Sequence, residues 1–345
     1  MKKENNSLKL TNILLSILII LTLTGTIQNY NLSNRVNKVV DMVEGVNMNT
    51  PKRLFLKSVY GDNQAYHPKV LSFDEEWNGY KYWMSFTPYP YSQSDKENPH
   101  IVVSNDIIHW KAKKGFQNPL DEVTDVAKGK RYNSDSHLVF NQDTNELECW
   151  WRYVDDVANK VILYRRTTTD GVTWKDKEEM IVSENRKKLD YLSPAIIYED
   201  GLYKIWYVNK NRVMYIESSD LKSWSKAKDM KITYEDSVLS WHLDVIHTEK
   251  GYEMILVAFS DWEHRMYMNL YYTKSIDNIS WDKAETILKP STGTNYWDNS
   301  GLYRSSFIYE NGKYYVFYSG QGTDNAKGIG LMEGKDIFDL KAVEY

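Results

Sequence analysis

One cysteine in 345 residues, Cys149, rules out a disulfide framework. Its setting in Leu147-Glu148-Cys149-Trp150-Trp151 reads as a buried, inert thiol. A basic excess is also missing. Lys and Arg number 43 against 47 Asp and Glu, a net charge of −4 with a pI of about 6.0, so no overall field points to nucleic acid. What the chain has in quantity is aromatic side chains. Twelve Trp, 27 Tyr and 9 Phe favour strands, and in a cleft they offer flat faces to sugar rings.

The body of the chain is ordered by a repeat. Ser218-Ser219-Asp220-Leu221-Lys222-Ser223-Trp224 follows the pattern Ser or Thr, any residue, Asp, three residues, Trp. Further copies run from Ser104, Asp106 to Trp110, from Thr168, Asp170 to Trp174, and from Ser275, Asp277 to Trp281, with a decayed one around Asp336 and Leu340. The aspartates lie 64, 50, 57 and 59 residues apart, too far for a helical solenoid and suited to a four-stranded blade with generous loops. Ser, Thr and Asp hold such turns by bonding nearby amides, which makes these aspartates structural. Five copies predict an all-β, five-bladed β-propeller over residues 51–345.

Two segments precede it. Lys2, Lys3 and Lys9 stand before an uncharged apolar run, 13–23, so residues 1–30 read as a signal peptide or signal anchor. Residues 11–27 are at the short end of a membrane span, and the positive flank places the rest of the chain outside the cytoplasm. No cysteine follows the run, against a lipoprotein anchor. Val36, Val39, Val40, Val43 and Val46 recur at helical spacing, so 31–50 is expected to hold a short amphipathic helix or stalk.

Hairpin turns supply the finer register. Asn78-Gly79, Asp200-Gly201 and Asn311-Gly312 separate apolar strands and mark two-residue turns. Aligned on them, the five innermost strands begin near His67, Ser136, Ser193, His242 and Arg304. Strand alternation puts those starts and the loops joining second to third strands on one face, leaving tight hairpins opposite. The site face receives Glu97, Asp135, His137, Trp241, Asp244 and Trp262.

The X-Pro strand start, Gly hairpin, Tyr-rich second strand and Ser-Ser-Asp-Leu-Lys-Ser-Trp turn together resemble the five-bladed glycoside hydrolases of family 43 and their invertase and levansucrase relatives. The likeness covers roughly 60–345. It implies acids at the starts of blades one and three, but those positions hold His67 and Ser193, so the family's aspartates do not carry over. A glycosidase needs two carboxyl groups across the bond. Glu97, Asp135 and Asp244 are the candidates, with Asp244, in an apolar strand, expected as the acid of raised pKa, and Glu97 or Asp135 as base or nucleophile. Each has a plainer reading: a solvated loop acid, a turn cap, and a structural partner of His242.

His67, His137 and His242 come from three inner strands. They serve as hydrogen-bonding substrate contacts or, if they converge, bind a metal ion near the axis; no cofactor is otherwise expected. Arg152 and Arg304 read as donors to sugar hydroxyls or a carboxylate, and Trp241, Trp262 and Trp297 as stacking surfaces. The expected function is an extracellular or cell-surface carbohydrate-active protein, a glycoside hydrolase of poly- or oligosaccharides tethered to the membrane by its N-terminal segment. A catalytically silent sugar-binding propeller and a protein-interaction platform are the alternatives.

Overall fold

The computed structural model describes residues 52–60, 63–124, 129–293 and 296–344. The expected signal or anchor segment and the valine-rich helix lie outside the described residues. Among those described, no helix is long and apolar enough to cross a membrane.

Among the described residues, nineteen strands form five sheets in chain order. Blade one holds β1 (Ala65–Trp77), β2 (Tyr80–Pro88) and β3 (His100–Ser104). Its fourth-strand place is taken by Lys111, which exchanges both backbone hydrogen bonds with Val103. Blade two is β4 (Arg131–Asn141), β5 (Glu146–Asp155), β6 (Lys160–Thr168) and β7 (Glu178–Ser183), and blade three is β8 (Leu192–Glu199), β9 (Leu202–Asn209), β10 (Arg212–Ser218) and β11 (Lys228–Asp229). Blade four is β12 (Leu239–Thr248), β13 (Gly251–Phe259), β14 (Asn269–Ser275) and β15 (Glu285–Leu288), and blade five is β16 (Gly301–Glu310), β17 (Lys313–Gln321), β18 (Lys327–Gly334) and β19 (Lys341–Ala342).

The period-two alternation of each strand builds the interior. On β13, Met254, Leu256 and Ala258 pack toward blade three while Ile255, Val257 and Phe259 pack toward blade five. On β5, Leu147, Cys149 and Trp151 face blade one, and Trp150 and Val154 face blade three. Every blade is thus apolar on both faces, and five buried clusters fill the five junctions. The ring closes because β1 packs on β16 and because Leu54, entering ahead of blade one, donates its N–H to Ile329 on β18. Leu54 and Leu56 bury themselves in the cluster between blades five and one.

Polar clips repeat at the junctions. The Tyr203 hydroxyl donates to Glu148 (2.6 Å), Tyr252 to Glu199 (2.5 Å), Tyr314 to Glu253 (2.5 Å) and Tyr82 to Glu310 (3.0 Å), each tyrosine from the blade after its acid. Blade two has Leu147 where the others have tyrosine, and there the Trp77 indole donates to Asn145 instead (3.2 Å).

The repeated motif is a turn, as the sequence predicts. Asp220 Oδ1 accepts the N–H groups of Lys222 and Ser223, and Ser218 Oγ accepts those of Asp220 and Leu221. Asp106, Asp170 and Asp277 do the same in their blades. The three expected two-residue turns have positive φ at both positions, which Asn, Asp and Gly tolerate.

The innermost strands are β1, β4, β8, β12 and β16, but they start one to five residues ahead of the expected points. His67, Ser193, the neighbourhood of His242, and Arg304 lie instead at breaks in register inside these strands. In blade two the equivalent of His67 and Ser193 is Asp135, not Ser136. These three share φ of 53°, 51° and 53°, a left-handed kink that re-aims one side chain out of the regular pleat.

Candidate active site

The bulges turn side chains from different blades into one buried group at the axis. His67 Nδ1 accepts or donates a 2.6 Å bond with Thr87 Oγ1 and lies 3.5 Å from Glu97 Oε2. The His67 and His242 rings are 5.8 Å apart, and Tyr303 packs against both, at 5.3 and 4.3 Å. His242 Nδ1 is 3.7 Å from Asp135 Oδ1, which is 3.4 Å from Arg304 Nη1. The other Asp135 oxygen accepts the Ser193 N–H at 3.2 Å. Tyr66 stacks on Tyr303, with centroids 5.0 Å apart.

Glu97 reaches this group from the loop between β2 and β3. Its neighbour Asn98 is anchored on both sides, donating to Tyr60 Oη at 2.6 Å and accepting from Asn133 of blade two at 3.0 Å. Glu97 itself is 5% exposed, so an acid that reads as a loop residue in the sequence is in fact buried.

Six polar atoms here are buried and make no hydrogen bond within the protein: Tyr66 Oη, Asp135 Oδ1, both His242 ring nitrogens, and Arg304 Nε and Nη1. Orphaned buried polar atoms cost stability, so four side chains converging with such atoms mark a place built for a polar ligand.

Burial splits the titrations. It pushes the Glu97 carboxyl well above the usual carboxylate range, and the nearby Asp135 charge adds to this, while Arg152 and Lys327 pull it back. Burial acts the same way on Asp135, but Arg304 and the charges around it overcome it and hold Asp135 well below that range. Burial lowers His67 to about 3 and His242 well below its ordinary value, so both imidazoles are neutral at pH 7. Lys327, at the start of β18 under Tyr66 and Tyr89, is lowered to about 8 by burial.

Of the residues expected at the site, Glu97, Asp135, His67, His242 and Arg304 are brought together. Asp244 is not free to join them. Lys69 Nζ lies 2.8 and 3.1 Å from its two oxygens, which also face the Val245 and Phe307 N–H groups, so its lone pairs are spent inside the barrel of strands. Asp244 is two residues beyond His242 and Lys69 two beyond His67, one layer deeper along the axis.

His137 is likewise structural, its ring held between the Ile196 backbone and Arg304. That separates it from His67 and His242, and among the described residues no three His, Cys, Asp or Glu side chains are arranged to hold a metal ion. Arg152 is committed to Asp190 and Ser134 rather than to a substrate. Trp297 stacks on Tyr318 and lies over Gly320 and Gly328, where any Cβ would strike it or Arg53. Trp241 and Trp262 stand at right angles 5.9 Å apart on the site face, and the Trp241 indole donates to Tyr303 Oη at 3.1 Å.

Tyr66, Tyr89 and Lys327 were not singled out by sequence. Tyr66 and Tyr303 each directly precede a bulge residue, and that adjacency is the available signal; Lys327 has none, being distant from every motif.

Solved structures share this architecture. An exo-1,5-α-L-arabinanase from a bovine ruminal metagenomic library superposes with a TM-score of 0.58 over 82% of this chain and 98% of its own, at 12% identity. A thermostable family-43 glycoside hydrolase gives 0.58 over 83% and 94%, at 13% identity. The fold is that of the family-43 propellers. An N-acetylgalactosamine deacetylase from F. plautii, solved in complex with blood group B trisaccharide, superposes with a TM-score of 0.74, covering 83% of this chain and 95% of that structure at 24% identity. In sequence, the chain is 27% identical over 304 residues to the A type blood N-acetyl-α-D-galactosamine deacetylase of Flavonifractor plautii, an alignment covering 74% of this chain. The match spans 39% of that relative's length. No protein-family model matches the chain.

Proposed function

We propose that this protein is a carbohydrate-active hydrolase that removes the acetyl group from an N-acetylated sugar. The observation that carries this is the convergence at the axis of Glu97 with Asp135, His242, Arg304 and Tyr66, where Tyr66 Oη, both His242 ring nitrogens and Arg304 Nε have no hydrogen-bond partner within the protein. The sequence likeness to a deacetylase supports the choice of reaction. Glu97, its basicity raised by burial, takes a proton from water as the water oxygen bonds to the acetyl carbonyl carbon. Arg304 and Tyr66 supply donors for the oxygen that gains charge. The C–N bond then breaks, the proton passes from Glu97 to the departing nitrogen, and acetate and an amino sugar leave. Ionised Asp135 holds Arg304 and His242 in place throughout.

A second reading rests on the same titrations. A protonated Glu97 beside an ionised Asp135 is also the division of labour a glycosidase requires. One assay separates the two: incubation with an α-N-acetylgalactosaminide, with and without added divalent cation, read for free acetate and for a new reducing end. Acetate without a reducing end supports deacetylation; a reducing end without acetate overturns it in favour of the glycosidase.

The proposal extends to location. The basic, apolar start of the chain motivates an exported or membrane-tethered enzyme. Recovery of the full-length protein in the soluble cytoplasmic fraction would contradict it.

A further inference from the structure

A cleft of about 620 Å³ opens on the site face where the tips of blades two and three meet blade four. Its lining includes Arg186, Asp190, Lys210, Asn211, Trp241 and Trp262. Trp262 is 57% exposed, unusual for so large an apolar ring. It is nevertheless held in place: Phe259 lies 5.1 Å away, Trp241 stands perpendicular at 5.9 Å, and the Arg265 guanidinium sits 5.5 Å from the Trp241 ring and 5.9 Å from the Trp262 ring. A fixed, exposed indole is a stacking face whose ordering cost is already met.

The rest of the cleft combines polar groups with the apolar side chains of Val157, Leu192 and Val208. Arg186 bridges Asp156 and Asp190 and donates to Tyr132 Oη at 3.4 Å, which fixes its guanidinium in the cleft wall. Lys210 and Asn211 form the tight turn between β9 and β10, both with positive φ, and the Asn211 amide is anchored on the Ser240 carbonyl. An aromatic plate facing charged and amide groups suits a sugar ring, which has an apolar face and a polar rim. The cleft also adjoins the axial group. Trp241 is its wall and donates to Tyr303, which packs on His67 and His242.

We infer that this cleft is a second subsite, holding the sugar units next to the one that reacts, so that the substrate is the end of an oligosaccharide rather than a free monosaccharide. The inference rests on the proposed deacetylation for the identity of the reacting sugar, but not for the existence of the subsite.

The test uses the full chain and two probes: the methyl α-glycoside of N-acetylgalactosamine, and a trisaccharide ending in the same sugar. Acetate release gives KM and kcat, and calorimetry gives binding to the Glu97→Gln variant. The trisaccharide is expected to have a KM about tenfold lower than the monosaccharide, Trp262→Ala to remove most of that advantage, and Trp262→Phe to restore part of it. Equal KM values for the two probes, or an equal penalty from Trp262→Ala on both, would overturn the subsite. If neither probe yields acetate but the trisaccharide binds more tightly than the monosaccharide through Trp262, the reaction assignment fails and the subsite stands. A trisaccharide that does not bind overturns the subsite.

Discussion

Lys69 and Asp244 form an ion pair at the centre of the ring, ammonium to carboxylate at 2.8 and 3.1 Å, with both side chains almost wholly buried. The pair joins blade one to blade four across the axis and lies one layer beneath the imidazoles of His67 and His242. Removing one partner leaves an uncompensated buried charge, a cost of about 3–5 kcal/mol. Lys69→Met should therefore unfold at clearly lower denaturant, and Asp244→Asn should lose stability while retaining turnover per folded molecule. This reverses the sequence-based expectation that Asp244 is the catalytic acid. A hundredfold loss of turnover in Asp244→Asn with an unchanged melting temperature would restore that role.

The inter-blade clips make a separate claim about the ring. Tyr82 donates to Glu310 at the junction where the last blade meets the first, and Tyr314 donates to Glu253 one junction earlier. Hydrogen bonds to charged groups contribute about 1.5–3 kcal/mol, so Tyr82→Phe and Tyr314→Phe should each lower the melting temperature by several degrees. Neither residue is near the axis, and kcat should not move. Chemical denaturation with parallel activity measurements checks both, and a stability change below about 0.5 kcal/mol in both variants would show the clips to be incidental.

How far the sequence reaches depends on the scale of the feature. The blades were legible because the Ser-x-Asp turn and its Trp recur at blade spacing, and because Asn-Gly and Asp-Gly turns fix strand pairs. The bulges were half legible: His67-Pro68 and Ser193-Pro194 announce a break in a strand, whereas Asp135-Ser136 has no proline, and the register there was read one residue late. Asp244 was misread because alternation places it on the same strand face as His242 but cannot reveal Lys69, 175 residues away in sequence. Glu97 looked like a loop acid because its burial depends on Asn98 being held by Tyr60 and Asn133, contacts no local pattern encodes.

The burial of Glu97 costs stability. Its folded-state pKa is raised above the unfolded value, so the folded protein binds the proton more tightly, and stability falls as pH rises from the unfolded toward the folded pKa. Glu97→Gln removes that cost. The variant should melt no lower than the parent at pH 8 and should converge with it near pH 4, while turnover drops by about 10²–10⁴. Calorimetric scans at both pH values, alongside acetate release, test the two halves separately. A variant that melts lower at pH 8 would contradict the burial argument, and one that keeps full turnover would remove Glu97 from the mechanism.

Lys327 offers control over the same group. Its ammonium is buried near the axis, lowers the Glu97 pKa, and hydrogen-bonds Gln321 and Asn325. With Glu97 as the base, kcat/KM must rise with pH as Glu97 ionises, and that acid limb must lie above the usual carboxylate range. Lys327→Gln keeps a polar group beside Gln321 and Asn325 but deletes the charge. Without the nearby cation the ionised carboxylate is less favoured, so the limb should move to higher pH with little change in the plateau. A merely structural lysine would lower the plateau and leave the limb in place. An acid limb at the same pH in both proteins would show that the group controlling the rate is not Glu97.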